Sequence, residues 1–181
     1  MAEVQEIIEF WFADGMQKRW FNATPALDQE IRERFEDTWQ RASAGEFDSW
    51  LDSADGALAL AIVLDQFPLN MFRGQARAFA SEAKAIEIAL AAVGRGLDRL
   101  LPGERVAFLY MPLMHSENLA HQQLSVRLFE RAGLASNLRF ARHHLELVQR
   151  FGRFPHRNAI LGRSSTPQEM AYLASPQAFK G

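Results

Sequence analysis

Apolar residues recur along most of this chain at helical rather than strand spacing. Val4, Ile7, Ile8, Trp11 and Phe12 fall on one face of a helix, which Asp14-Gly15 ends. Thr24-Pro25 pairs a good N-cap with a proline at the first helical position, and Leu27, Ile31, Phe35, Trp39 and Ala42 then form one stripe. The stretch from Gly56 to Phe67 is apolar on every side, so it predicts a buried central helix closed by Pro68. An Ala-rich helix is expected over 75–93, stopped by Gly94 and Gly96.

From Glu104 a further helix runs toward Asn118, broken or kinked at Pro112, and Ser116 is the expected N-cap of the next, which ends near Ala132. Residues 137–151 make another strong helix, and Thr166-Pro-Gln-Glu169 is a capping box that opens a short last one. No segment sustains strand alternation. Short connections between about seven to eight helices imply antiparallel helical hairpins, an all-α fold. There is no fixed-period repeat, linker or low-complexity tract, so a single all-helical domain over 1–181 is expected.

Composition narrows the function. Without cysteine, disulfides, thiolate metal sites and thiol nucleophiles are excluded. The longest apolar run, Ala57–Leu64, is far too short for a membrane span, and the acidic N-terminus does not read as a leader, so a cytoplasmic setting and no membrane partner are expected. Residues 1–60 hold five Lys/Arg against thirteen Asp/Glu, a charge of −8, whereas residues 61–181 hold fifteen against nine, or +6. Six arginines and one acid lie between Arg139 and Arg163. Such asymmetry either marks an anion site or neutralises across the fold. Nucleic acid is not expected, because the chain is not basic overall.

Polar residues concentrate in three stretches. In LDQFPLNMFRG (64–74), Asp65 ends an apolar helix and is expected to be partly buried, with Arg73 its natural partner; Asn70 and Arg73 are candidate ligand-binding groups. In YMPLMHSEN (110–118), His115 follows the proline break, and Glu117 with His121 would form an i, i+4 pair. In HHLELVQRFGRFPHRN (143–158), His144 falls inside the apolar arc and His143 at its edge. Arg150, Arg153, His156, Arg157 and Asn158 crowd the helix end, where guanidinium groups suit a carboxylate or phosphate. Each stretch also has a structural reading, as a polar clamp at a helix break. No metal-ligand spacing is present and no cofactor motif occurs, so neither is expected.

The strings FWF (10–12), GEFDSW (45–50), LDQFPLNMFRG, YMPLMHSENLA and RFGRFPHRNAILGRSSTPQE (150–169), in this order, resemble the domain of unknown function 924 family, over roughly residues 4–173. The resemblance implies a bacterial protein with a tetratricopeptide-like helical fold and carries no established activity. Leu69 departs from the family pattern, which usually has Arg there; so do Asn118 and His121, where an acid is commoner. Two functions are expected to compete. One is a tetratricopeptide-like binding module in which Asn70, Arg73, Arg153, Arg157 and Asn158 hold an acidic peptide or small anion. The other is a small helical enzyme using Asp65, His115, Glu117, His144 and His156 in hydrolase-type acid/base chemistry.

Overall fold

The structure, a computed structural model, describes residues 3–179. It is all-helical: α1 (Val4–Trp11), α2 (Pro25–Ser43), α3 (Ala54–Ala61), α4 (Phe67–Met71), α5 (Glu82–Gly94), α6 (Gly103–His115), α7 (Leu119–Arg131), α8 (Ala135–Phe151) and α9 (Pro167–Leu173). Among the described residues there is no strand. No helix there is long and apolar enough to cross a membrane. The chain divides into two compact units, Met1–Arg73 with Arg77–Pro112, and Gly74–Ala76 with Leu113–Gly181.

In the first unit α3 and α4 are joined by a π-helical turn, Ile62–Gln66, so that one rod runs from Ala54 to Met71, buried from Gly56 onward except at the half-buried Leu69. Pro68 therefore does not close the central helix; it sits inside it. A proline has no N–H for the carbonyl four residues back, here that of Leu64. The wider π turn accommodates the ring, and the Ser81 hydroxyl donates to the Leu64 carbonyl at 2.6 Å. Ser81 in turn accepts from the Trp39 indole at 2.8 Å. The rod is entered through a tight corner. Ser53 caps α3 by accepting from the Gly56 amide, and a Cβ on Gly56 would lie 2.0 Å from the Trp50 carbonyl oxygen.

Rings pack around the rod. Phe67 stacks on Phe35 at 4.7 Å and meets Trp11 edge-on at 5.6 Å; Phe108 contacts Trp11, Phe12 and Trp20. Thr24 caps α2 as its sequence implies. The Ala-rich segment begins with a 3-10 turn at Ala76–Phe79, and the α-helix proper starts only at Glu82.

The second unit is organised on the α7–α8 hairpin. Asn118, not Ser116, caps α7: its side chain accepts from the amides of Ala120 and His121. Ser116 instead braces the loop before α7: its hydroxyl oxygen accepts from the Asn118 N–H at 3.1 Å and lies 2.9 Å from His121 Nδ1. Gly152 ends α8 at φ 70°, a left-handed turn that favours glycine. After the 3-10 turn Pro155–Arg157, the capping box at Thr166 and Glu169 opens α9 as the sequence predicts.

Candidate functional site

The sequence-predicted groups fall into three arrangements, and each is clearest within its own unit. In the first unit, Arg73 does not pair with Asp65. Its guanidinium grips Asp28, from the first turn of α2, with Nε to Oδ2 at 2.8 Å and Nη2 to Oδ1 at 3.0 Å, and Asn70 donates to the same carboxylate at 2.8 Å. Burial works to raise the Asp28 carboxyl, but the hydrogen bonds from Arg73 and Asn70 outweigh it and hold it below the usual carboxylate range. Asp65 is buried on the π turn and accepts from the adjacent Gln66 amide at 2.6 Å.

In the second unit, the residues around the end of α8 build two interlocked carboxylate clamps. Arg163 meets Glu117 with two parallel bonds of 2.7 and 2.8 Å. The same two residues hold the backbone of Phe154 from both sides: its N–H donates to Glu117 at 2.8 Å, and its carbonyl accepts from Arg163 at 3.1 Å. Burial would raise the Glu117 carboxyl; the Arg163 bonds and the Phe154 amide prevail and lower it. Because both Glu117 oxygens are engaged here, the expected pairing with His121 does not form.

The second clamp centres on Glu169, 2% exposed. It receives Arg153 through Nε at 2.7 Å and Nη2 at 2.8 Å, the Asn158 amide at 3.2 Å, and the Thr166 N–H of its own capping box at 2.8 Å. The Arg153 bonds lead in drawing its pKa down to about 2. Asn158 also accepts from Arg163 at 3.0 Å, which links the two clamps. Arg157 donates to the His115 carbonyl at 2.8 Å and lies over the Phe154 ring. Arg150 lies over Phe151 and Tyr172. Thus Arg153, Arg157 and Asn158 stand together as expected, and the carboxylates facing them are Glu117 and Glu169.

The third arrangement is a set of imidazoles. His144 is buried on the inner face of α8, with His143 at the edge, as the helical spacing predicts. The His144 ring centre is 6.3 Å from that of His115. Its Nδ1 lies 2.8 Å from the Phe140 carbonyl. A carbonyl only accepts, so Nδ1 carries the proton and Nε2 is left as a bare acceptor. Burial, reinforced by His115, pushes the His144 pKa down to about 3. Burial and then the Arg157 charge push His156 down to about 4. Both rings are therefore neutral at pH 7. Phe154 packs against both, and so does Phe179, which follows α9.

Sequence reasoning missed Asp28, Arg163, Glu169 and Phe179 as partners. Glu169 carried a signal only as a capping-box residue. Asp28 offered one only as an acid in a helix's first turn. Among the described residues no group of three or more His, Asp or Glu is arranged to hold a metal ion.

A groove runs along α8, lined by Ala135, Leu138, Arg139, Arg142, His143 and Glu146. A second, in the first unit, is dominated by acids: Glu6, Glu9, Asp14 and Glu30 against Arg19 and Arg34.

An all-helical chain with these polar motifs belongs to a recognisable class. The family model described as bacterial protein of unknown function (DUF924) matches residues 7–177, and the chain belongs to that family. A solved structure of a protein of unknown function, ATU0120 from Agrobacterium tumefaciens, is similar to it. The two are 40% identical, with a TM-score of 0.90 over 94% of this chain and 96% of that one. No curated protein matches the chain.

Proposed function

We propose that the protein is a binding module in which the α7–α8 hairpin, a tetratricopeptide-like unit, offers an acidic peptide or small anion the groove along α8. One observation carries this reading. Arg139, Arg142 and His143 line a surface groove together with the apolar Ala135 and Leu138, with Glu146 its single acid. Cations that reach solvent beside apolar surface suit a partner that brings both carboxylates and hydrophobic side chains. The neighbouring Phe140, 44% exposed, lies under the Arg139 guanidinium at 5.5 Å. Arg142 pairs with Glu130, but both side chains are more than half exposed, and such a pair contributes only about 0–1 kcal/mol. A partner carboxylate can replace it.

The arginines first considered as ligand groups are directed elsewhere. Arg73 and Arg153 already hold protein carboxylates with bidentate geometry, Arg157 donates to the His115 carbonyl, Asn70 donates to the carboxylate that Arg73 holds, and Asn158 donates to Glu169 and accepts from Arg163. The reading therefore moves from those residues to the face of α8. A hydrolase-type role for Asp65, His115, Glu117, His144 and His156 finds less support. Glu117 gives both oxygens to Arg163 and Phe154, and imidazoles at about 3 and about 4 are weak bases at neutral pH, where a general base works best near pKa 7.

Fluorescence anisotropy with a labelled poly-glutamate peptide tests the proposal. Arg139→Ala and Arg142→Ala should each weaken binding about tenfold, the value of one charged contact, while Arg73→Ala leaves it unchanged. Equal binding by all four proteins, or no binding by the wild type, rejects it.

A further inference from the structure

His143, which lines the groove on α8, also borders a second feature. Its ring contacts Phe179, 5.9 Å away and edge-on. Phe179 meets His144 at 4.9 Å and His156 at 5.1 Å, again with steep interplanar angles of 67° and 76°. Phe154 backs both imidazoles, at 5.3 and 5.6 Å. One phenyl ring is thus received by three imidazoles and a phenylalanine behind them. Edge-to-face contacts of this kind are the preferred geometry for neutral aromatic rings.

The cage is more firmly built than its occupant. His144 is fixed by the Phe140 carbonyl, and Phe154 by the Glu117–Arg163 clamp on both of its backbone groups. Phe179 is half-buried and packs against the cluster of Leu147, Val148, Phe154 and Tyr172; among the described residues its backbone has one bond, from its N–H to the Tyr172 hydroxyl at 2.8 Å. The next tie upstream is a turn bond from the Ala178 N–H to the Ser175 carbonyl. An aromatic receptor filled by a half-buried ring of the same chain is a site with an internal competitor.

We propose that the cage of His143, His144, His156 and Phe154 is the aromatic subsite of the α8 groove, that Phe179 occupies it in the free protein, and that a peptide carrying an aromatic residue beside acidic ones displaces Phe179 to bind. His143 joins the two parts: it lines the basic groove and forms one wall of the cage. The inference rests on the binding reading above and adds the identity of the side chain that is recognised. It also makes the segment after α9 a regulator of the site, because every partner that inserts an aromatic residue must first overcome Phe179.

Two labelled probes separate the inference from its foundation: a poly-glutamate peptide containing one Phe, and the same peptide with Ala at that position. Removing the competitor removes the fraction of protein held closed, so Phe179→Ala in the full chain should bind the Phe probe about tenfold tighter and the Ala probe as before. Tyr172→Phe keeps the ring and drops only the bond to the Phe179 amide, so it should move the Phe probe in the same direction by a smaller factor. Unchanged or weaker binding of the Phe probe by both variants overturns the inference, as does equal tightening of both probes. If the Ala probe still depends on Arg139 and Arg142 while the Phe probe shows no gain, the groove stands and the cage proposal falls. If neither probe binds any of the proteins, both fall.

Discussion

The two units are held together by different chemistry. In the first, rings and aliphatic side chains close around a buried rod; its buried polar groups are tied by bonds from neutral donors, as in the relay from Trp39 through Ser81 to Leu64 and the bonds from Gln66 to Asp65 and from Tyr110 to Asp98. Its ion pairs, such as Arg34–Glu6 and Lys84–Asp48, lie at the surface, where they add little. In the second, a long irregular segment between α8 and α9 is fixed by carboxylates taken partly or almost wholly out of water, Glu117 and Glu169, each gripped by two guanidinium bonds. A loop without a repeating backbone bond pattern must have its polar groups met one by one, and charged side chains do this where a helix would do it by itself. The first unit should therefore be sensitive to volume, and the second to charge and pH.

The strongest challenge to that contrast is Gly56→Ala. The added methyl has backbone on its far side and cannot relax, so we expect a loss of about 4 kcal/mol or more and a Tm at least about 10 °C lower in a circular-dichroism melt. A Tm within a degree of wild type would show that the corner at Trp50 yields, and that volume is not what limits the first unit.

Acid should expose the second unit. The folded pKa values of His144 and His156, about 3 and about 4, lie below the ordinary 6.5. Unfolded imidazoles therefore take up protons that the folded ones refuse, and stability complete above pH 6.5 declines as pH falls toward those values. Glu169 acts in a lower window: its contribution is present above pH 4.5 and lost as pH falls toward about 2. Between pH 7 and pH 4.5 the His144 effect alone should lower Tm by about 5 °C or more, and His144→Gln should remove much of that slope. Parallel slopes in the two proteins would mean that the ring is not buried neutral. The smallest effect is expected for Arg73→Ala, which removes a 59% exposed guanidinium from Asp28 and should shift Tm by no more than about 3 °C.

What the sequence made legible was local. The Thr24 cap, the Thr166–Glu169 box and the inward turn of His144 each depend on residues within one or two helical turns, where spacing alone decides the geometry. Pro68 misled because a proline's effect depends on what else meets the orphaned carbonyl, and here the donor is Ser81, supplied by the segment that opens α5. Ser116 and Asn118 are both good caps, and which one prevails turned on where α6 ended. The site partners were least legible. Arg73 finds Asp28 across 45 positions and Arg163 finds Glu117 across 46. Any of several carboxylates satisfies a guanidinium equally well on paper, and only the packing of helices selects one.

The placement of the indoles has a practical consequence. All four tryptophans, Trp11, Trp20, Trp39 and Trp50, belong to the first unit, while Tyr172 lies in the second. Emission excited at the red edge of the aromatic band is therefore a reporter of the first unit alone, and Trp39, bonded to Ser81, reads the state of the π turn directly. Comparing that signal with far-ultraviolet dichroism, to which every helix contributes, tells an experimenter which unit a given substitution or pH has loosened, with no label added to the protein.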